Sequence, residues 1–155
     1  MLRQRALLPR ALELRRDPKP TAPQAEDVHR LPLIGEIAAG GPLLADQNVE
    51  EYLAVPEPLA RGGEEFLLRV KGDSMINAGI LEGDLVVVRR AQTAKDGEIV
   101  VALAGEDETA DEATVKRFFR ENGRVRLQPE NDELDPIYAD HVQVLGVVTG
   151  VFRTL

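Results

Sequence analysis

Lys116-Arg117-Phe118-Phe119-Arg120-Glu121-Asn122-Gly123-Arg124-Val125-Arg126-Leu127 sets the fold class of this chain. Asn122-Gly123 is the dipeptide best suited to a tight β-turn, because both positions of that turn need positive φ. The arms on either side carry the β-branched and aromatic residues of a hairpin. Working outward, the chain divides into further short segments of the same kind: Leu33 to Ile37, Glu50 to Val55, Phe66 to Lys71, Leu85 to Arg90, Glu98 to Leu103 and Val142 to Phe152. The hairpin arms extend to Ala113–Phe119 and Arg124–Gln128. Gly62-Gly63, Gly83-Asp84 and Asp96-Gly97 punctuate them as turns. Many short strands without long helical patterns predict a mostly β domain with one or two short helical turns. Ser74 to Leu81 is the segment expected to form them, opening at Asp73 or Ser74, either of which caps a helix well. Val142 to Phe152 is expected to be an edge strand that pairs between subunits.

The 155 residues, 43% hydrophobic, suffice for one core with an appendage. Pro9, Pro18, Pro20 and Pro23 break the first 30 residues, and Pro18 to Asp27 has no apolar period, so residues 1–30 read as a head and linker and 31–155 as the domain. The charge of −8 is unevenly spread. Residues 1–20 hold six basic side chains against Glu13 and Asp17, a net +4, which leaves −12 for the remainder. A basic head suits phosphate, and charge alone equally fits a solvated tail. The acidic body disfavours nucleic acid. With no cysteine there is no disulfide framework and no thiolate chemistry, as expected of a cytoplasmic protein. No run reaches the roughly 18 apolar residues of a membrane span.

His29 and His141 are the only histidines, one beside the linker and one next to Asp140, where an extended chain turns the two side chains to opposite faces. That disfavours a Ser-His-Asp triad. Two distant histidines also make a poor zinc site, and Gly40-Gly41-Pro42 has no phosphate-loop sequel, so neither metal nor cofactor is expected. Serine and lysine remain, and they suffice for peptide hydrolysis if the lysine is neutral. In a strand Lys116 shares a face with Thr114 and Phe118, and Arg117 shares the other with Val115 and Phe119. Either face can be the inner one on this pattern. Burial can lower a lysine pKa by roughly 3 to 5 units from about 10.4. Ser74, after Gly72-Asp73, reads either as a cap or as a nucleophile at a strand end, where amides of the following turn are free for an oxyanion. Ala38-Ala39-Gly40-Gly41 reads as a flexible loop or as a substrate slim enough for a narrow site, held in the same chain as its nucleophile.

Together these stretches resemble the C-terminal domain of LexA-type repressors of the bacterial SOS response, the serine-lysine self-cleaving family shared with UmuD and phage repressors. The resemblance runs from about Leu31 to Leu155. It is carried by Pro32-Leu33-Ile34-Gly35, Ala38-Ala39-Gly40-Gly41-Pro42-Leu43-Leu44-Ala45, Phe66-Leu67-Leu68-Arg69-Val70, Gly72-Asp73-Ser74-Met75, Gly83-Asp84-Leu85, Ala113-Thr114-Val115-Lys116-Arg117, Gln128-Pro129-Glu130-Asn131 and Val144-Leu145-Gly146-Val147-Val148. It implies a compact LexA/signal-peptidase-like β-domain in which Ser74 is the nucleophile, Lys116 the general base and Ala39–Gly40 the bond cut. It also implies stimulation by the RecA filament on single-stranded DNA, homodimerisation and control of DNA-damage genes.

Ala39-Gly40 favours the LexA type over UmuD, whose cleaved bond resembles Cys-Gly. Leu14-Arg15-Arg16-Asp17-Pro18-Lys19-Pro20 looks like the tail of the winged helix-turn-helix that precedes this linker in the family. Residues 1–13, interrupted by Pro9, cannot hold that motif, so a truncated, misassigned or naturally shortened start is expected, and operator DNA is expected of a full-length member only. The acidic stretch Gly105 to Glu112 looks longer than the family's turn and is expected to lengthen a surface hairpin. The rival readings are a UmuD-like accessory of a translesion polymerase and a dimerisation module that no longer cuts. A signal-peptidase-like enzyme shares the chemistry but wants a membrane anchor.

Overall fold

The computed structural model describes residues 28–35, 43–104 and 113–155. Nine strands form one mixed sheet among them: β1 (Val28–Ile34), β2 (Val49–Pro56), β3 (Glu65–Arg69), β4 (Leu85–Arg90), β5 (Ile99–Ala104), β6 (Ala113–Glu121), β7 (Arg124–Gln128), β8 (Ile137–Ala139) and β9 (Val142–Phe152). Their spatial order is β2-β1-β3-β4-β9-β5-β6-β7-β8. Every neighbouring pair is antiparallel except β1 and β3. The mostly β expectation holds, and its two short helical turns are single 3-10 turns, Asp46–Asn48 and Ile76–Ala78. Among the described residues no helix is long and apolar enough to cross a membrane.

The β6–β7 hairpin turns at Asn122 and Gly123, with φ of 54° and 78°, the two positive values that a tight primed turn requires. Strand β1 starts at Val28, five residues before the expected Leu33, because its register against β2 runs back to Val28 opposite Pro56. Strand β8 was not foreseen.

The expectation of an edge position for Val142–Phe152 is overturned. Strand β9 lies between β4 and β5 and is laddered to both. It is laddered to β4 from Gly146 to Phe152 and to β5 from Val142 to Val147, so only Gly146 and Val147 pair on both sides. β2 and β8 are the edges instead.

Three apolar clusters flank the sheet. Phe66, Leu68, Val86, Val88, Val101 and Val115 belong to the largest, Leu33, Leu67 and Val87 to a second. The third gathers Val100, Ala102, Phe118, Leu127, Val144 and Val147 around β5, β6 and β9. Phe118 and Leu127 face each other across the hairpin and are completely buried, a gain of about 1.5–3 kcal/mol for each side chain. Phe118 sets its face of β6 against the third cluster and Lys116 lies on that face two residues away, while Val115 on the opposite face joins the largest cluster.

Candidate active site

Ser74 follows β3 in a segment that turns away from the sheet. Val70 is tied to the chain just before β4, donating its N–H to the Asp84 carbonyl at 2.8 Å and accepting from Gly83 N–H at 2.9 Å. Gly72 then turns the chain with a φ of 78°, a conformation that costs other residues a steric penalty. Met75 is buried and anchors the turn beyond, whereas Lys71, Gly72 and Asp73 are exposed. Ser74 is half-buried between them. It caps nothing: the residue preceding the 3-10 turn is Met75, and no side chain caps that turn.

The Ser74 hydroxyl instead meets Lys116, 42 residues away in the chain, at 3.1 Å from Nζ to Oγ. The inward alternative for Lys116 is the one the fold adopts, with the residue only 9% exposed. Its Nζ lies 2.5 Å from Thr114 Oγ1 and 3.3 Å from the Val115 carbonyl oxygen. Burial lowers the Lys116 pKa from the ordinary lysine value, because a charged ammonium loses hydration there and, among the described residues, gains no carboxylate partner. The contacts are three, and a neutral amine has two N–H donors and one lone pair. Thr114 Oγ1 and the Val115 carbonyl can accept both donors, leaving the lone pair to take the Ser74 hydroxyl proton. When protonated, the same nitrogen donates to all three.

Around the serine, Glu130 N–H donates to the Ser74 carbonyl at 2.8 Å and Asn77 N–H to the Glu130 carbonyl at 2.8 Å. Among the described residues the Ser74 and Met75 amides have no acceptor. Two free N–H groups beside a serine hydroxyl can hold an oxyanion. On the other face of β6, Arg117 pairs with Glu130 at 3.6 Å and lines a cavity of about 560 Å3 with Arg61, Glu65, Arg89 and Glu98. That cavity includes neither Ser74 nor Lys116.

Ala39 and Gly40 lie outside the described residues, as do the basic head, the linker to Asp27 and the acidic stretch. The flanks of the 36–42 segment are described and are joined through one residue. Gly35 N–H donates to the Asn48 carbonyl at 3.0 Å, and buried Asn48 donates its Nδ2–H to the Leu43 carbonyl at 3.0 Å. His29 is engaged elsewhere, with Glu57 at 3.1 Å. No group of three metal-ligating side chains occurs among the described residues. Thr114 and Glu130 were not singled out as site residues from the sequence. Thr114 was findable, since it stands two residues from Lys116 on one strand face, whereas nothing in the pattern of Glu130 announces a backbone contact with residue 74.

Residues 32–149 match the Peptidase S24-like family. Over 155 residues the chain is 48% identical to the LexA repressor of Exiguobacterium sp., covering 100% of this chain and 73% of that protein. It is 51% identical over 154 residues to the LexA repressor of Pelotomaculum thermopropionicum, covering 99% of this chain and 72% of the relative. The LexA repressor of Brevibacillus brevis is 46% identical over 156 residues, with 100% and 73% covered. A serine and a buried lysine in contact, on a β-domain matched from end to end by these relatives, lead to one conclusion: the chain belongs to the LexA repressor family and carries its self-cleaving, Peptidase S24-like domain.

Proposed function

We propose that Ser74 and Lys116 hydrolyse the Ala39–Gly40 bond of their own chain, and that this cleavage ends repression. The observation that carries this reading is the 3.1 Å contact between Lys116 Nζ and Ser74 Oγ, made by a lysine that burial has made easier to deprotonate. Neutral Lys116 takes the hydroxyl proton as Ser74 Oγ attacks the Ala39 carbonyl carbon. The free amides of Ser74 and Met75 receive the charge that develops on the carbonyl oxygen. The C–N bond breaks, Lys116 returns the proton to the Gly40 nitrogen, and an ester joins Ala39 to Ser74. Water, deprotonated by the same lysine, then frees the serine.

Residues 31–155 are the self-cleaving and dimerising unit in this reading, and residues 1–30 are the remnant of a winged-helix wing with a basic, proline-rich linker. The RecA filament on single-stranded DNA accelerates the reaction by favouring the conformer in which the 36–42 segment occupies the site. Ser74→Ala and Lys116→Ala each abolish self-cleavage without changing the circular dichroism spectrum. Cleavage by Lys116→Ala at neutral pH would remove lysine from the mechanism.

A further inference from the structure

Ser74 belongs to no strand, and its neighbours Gly72 and Asp73 are exposed. What aims it comes from the segment after β7. Glu130 N–H holds the Ser74 carbonyl, and Asn131 Nδ2–H donates to the Asp73 carbonyl at 2.8 Å. The Asn131 carboxamide is itself fixed, because its Oδ1 accepts Glu133 N–H at 2.9 Å while its main-chain carbonyl accepts Leu134 N–H at 3.1 Å. With one donor and one acceptor engaged, only one orientation of that carboxamide satisfies both partners.

The carbonyl and N–H of a trans peptide point in opposite directions. Gripping the Asp73 carbonyl therefore sets the direction of the Ser74 N–H, and gripping the Ser74 carbonyl sets that of the Met75 N–H. These are the two amides without an acceptor among the described residues. We propose that Asn131 is a positioning residue for self-cleavage: it orients the peptide group before Ser74 so that hydroxyl and amide address the same carbonyl. This rests on reading Ser74 as the nucleophile.

Asn131→Asp isolates the role, since an ionised carboxylate keeps the acceptor for Glu133 N–H and loses the donor for the Asp73 carbonyl. Self-cleavage of the full chain is followed from neutral to about pH 10, with thermal midpoints, for wild type, Asn131→Asp, Asn131→Ala and Ser74→Ala. Both Asn131 variants are expected to lower the plateau rate roughly 10- to 100-fold while the apparent pKa, a property of Lys116, and the thermal midpoint stay at wild-type values. A plateau indistinguishable from wild type overturns the proposal, as does a loss that tracks a falling midpoint and is regained on cooling. Cleavage by Ser74→Ala removes the nucleophile and this proposal with it, whereas an inert Ser74→Ala beside a fully active Asn131→Asp removes the positioning role alone. Hydrogen exchange of the Asn131 side-chain amide in the wild-type protein gives a reading that no variant's folding can disturb. Protection is expected, and exchange at the rate of a free carboxamide contradicts the inference.

Discussion

A lysine accepts a proton only when neutral, and Lys116 is buried with no carboxylate paired to it among the described residues. Burial without a counter-ion favours the neutral form, because it penalises the ammonium and leaves the amine with two acceptors for its N–H groups. The rate of self-cleavage is therefore expected to rise with pH as the lysine deprotonates and to level off with an apparent pKa below the roughly 10.4 of a free lysine. Lys116→Arg keeps the charge, length and donors but never deprotonates in this range, so its pH profile is expected to be flat and at background. A profile that climbs through the unperturbed lysine value in the wild type contradicts the role of burial. Ser74 shows how a local cue misleads: a serine after Gly-Asp reads as a cap, and here its hydroxyl meets a residue 42 positions on. No periodicity encodes that contact, which joins a turn after β3 to a residue of β6.

Strand β6 is the element on which the site depends, since it carries Lys116, Thr114 and Phe118 on one face. Phe118→Ala leaves a cavity among Val100, Leu127 and Val147 and is expected to cost about 3–5 kcal/mol in chemical denaturation. The same variant is expected to slow cleavage in the fraction that remains folded. Strands β4 and β9 approach closely at Gly146, where a Cβ atom would lie 2.5 Å from the Arg89 carbonyl oxygen and 2.5 Å from a Val88 methyl group. Gly146→Ala is expected to destabilise by about 1–3 kcal/mol through this overpacking, read as a lower denaturation midpoint. A neutral result at Gly146 means the two strands part more easily than their ladder implies. Elements with strong local chemistry were legible: Asn122-Gly123 fixes its hairpin by φ alone, and Leu85–Arg90 and Val142–Phe152 have the expected bounds. Strand β8 was not, because three residues after Pro136 are too few for a period and owe their pairing to β7. The interior place of β9 was equally hidden, since sheet order follows from which faces bury together rather than from the alternation within one strand.

At the scale of the molecule, the C-terminal end of the domain is tied to the turn that follows Ser74. Arg153, just past β9, donates from Nε and Nη2 to the Asp84 carboxylate, each at 2.7 Å, and from Nη2 to the Gly79 carbonyl at 2.7 Å. Asp84 also accepts the Leu81 N–H at 2.7 Å, so this pair braces the turn that follows Ser74. The Arg153 hydrogen bond holds the Asp84 carboxyl below the usual carboxylate value, against the opposing effect of burial. A depressed folded-state pKa contributes stability above the unfolded value, near 3.9, that is lost as pH falls through the folded one. Asp84→Asn is expected to lower the thermal midpoint at neutral pH and to flatten its decline below about pH 4. An unchanged acid limb would mean that Asp84 does not carry it.

With Ser74, Lys116 and the Ala39–Gly40 bond in one chain, the proposed cleavage is expected to be first order. The purified wild-type chain, incubated alone from neutral to about pH 10 at several protein concentrations, is analysed by mass spectrometry of intact fragments. Two products are expected, Met1 to Ala39 and Gly40 to Leu155, forming faster at high pH with a half-time independent of concentration. An intact chain at every pH, with its circular dichroism unchanged, or a half-time that shortens with concentration, would contradict intramolecular cleavage by Ser74 and Lys116.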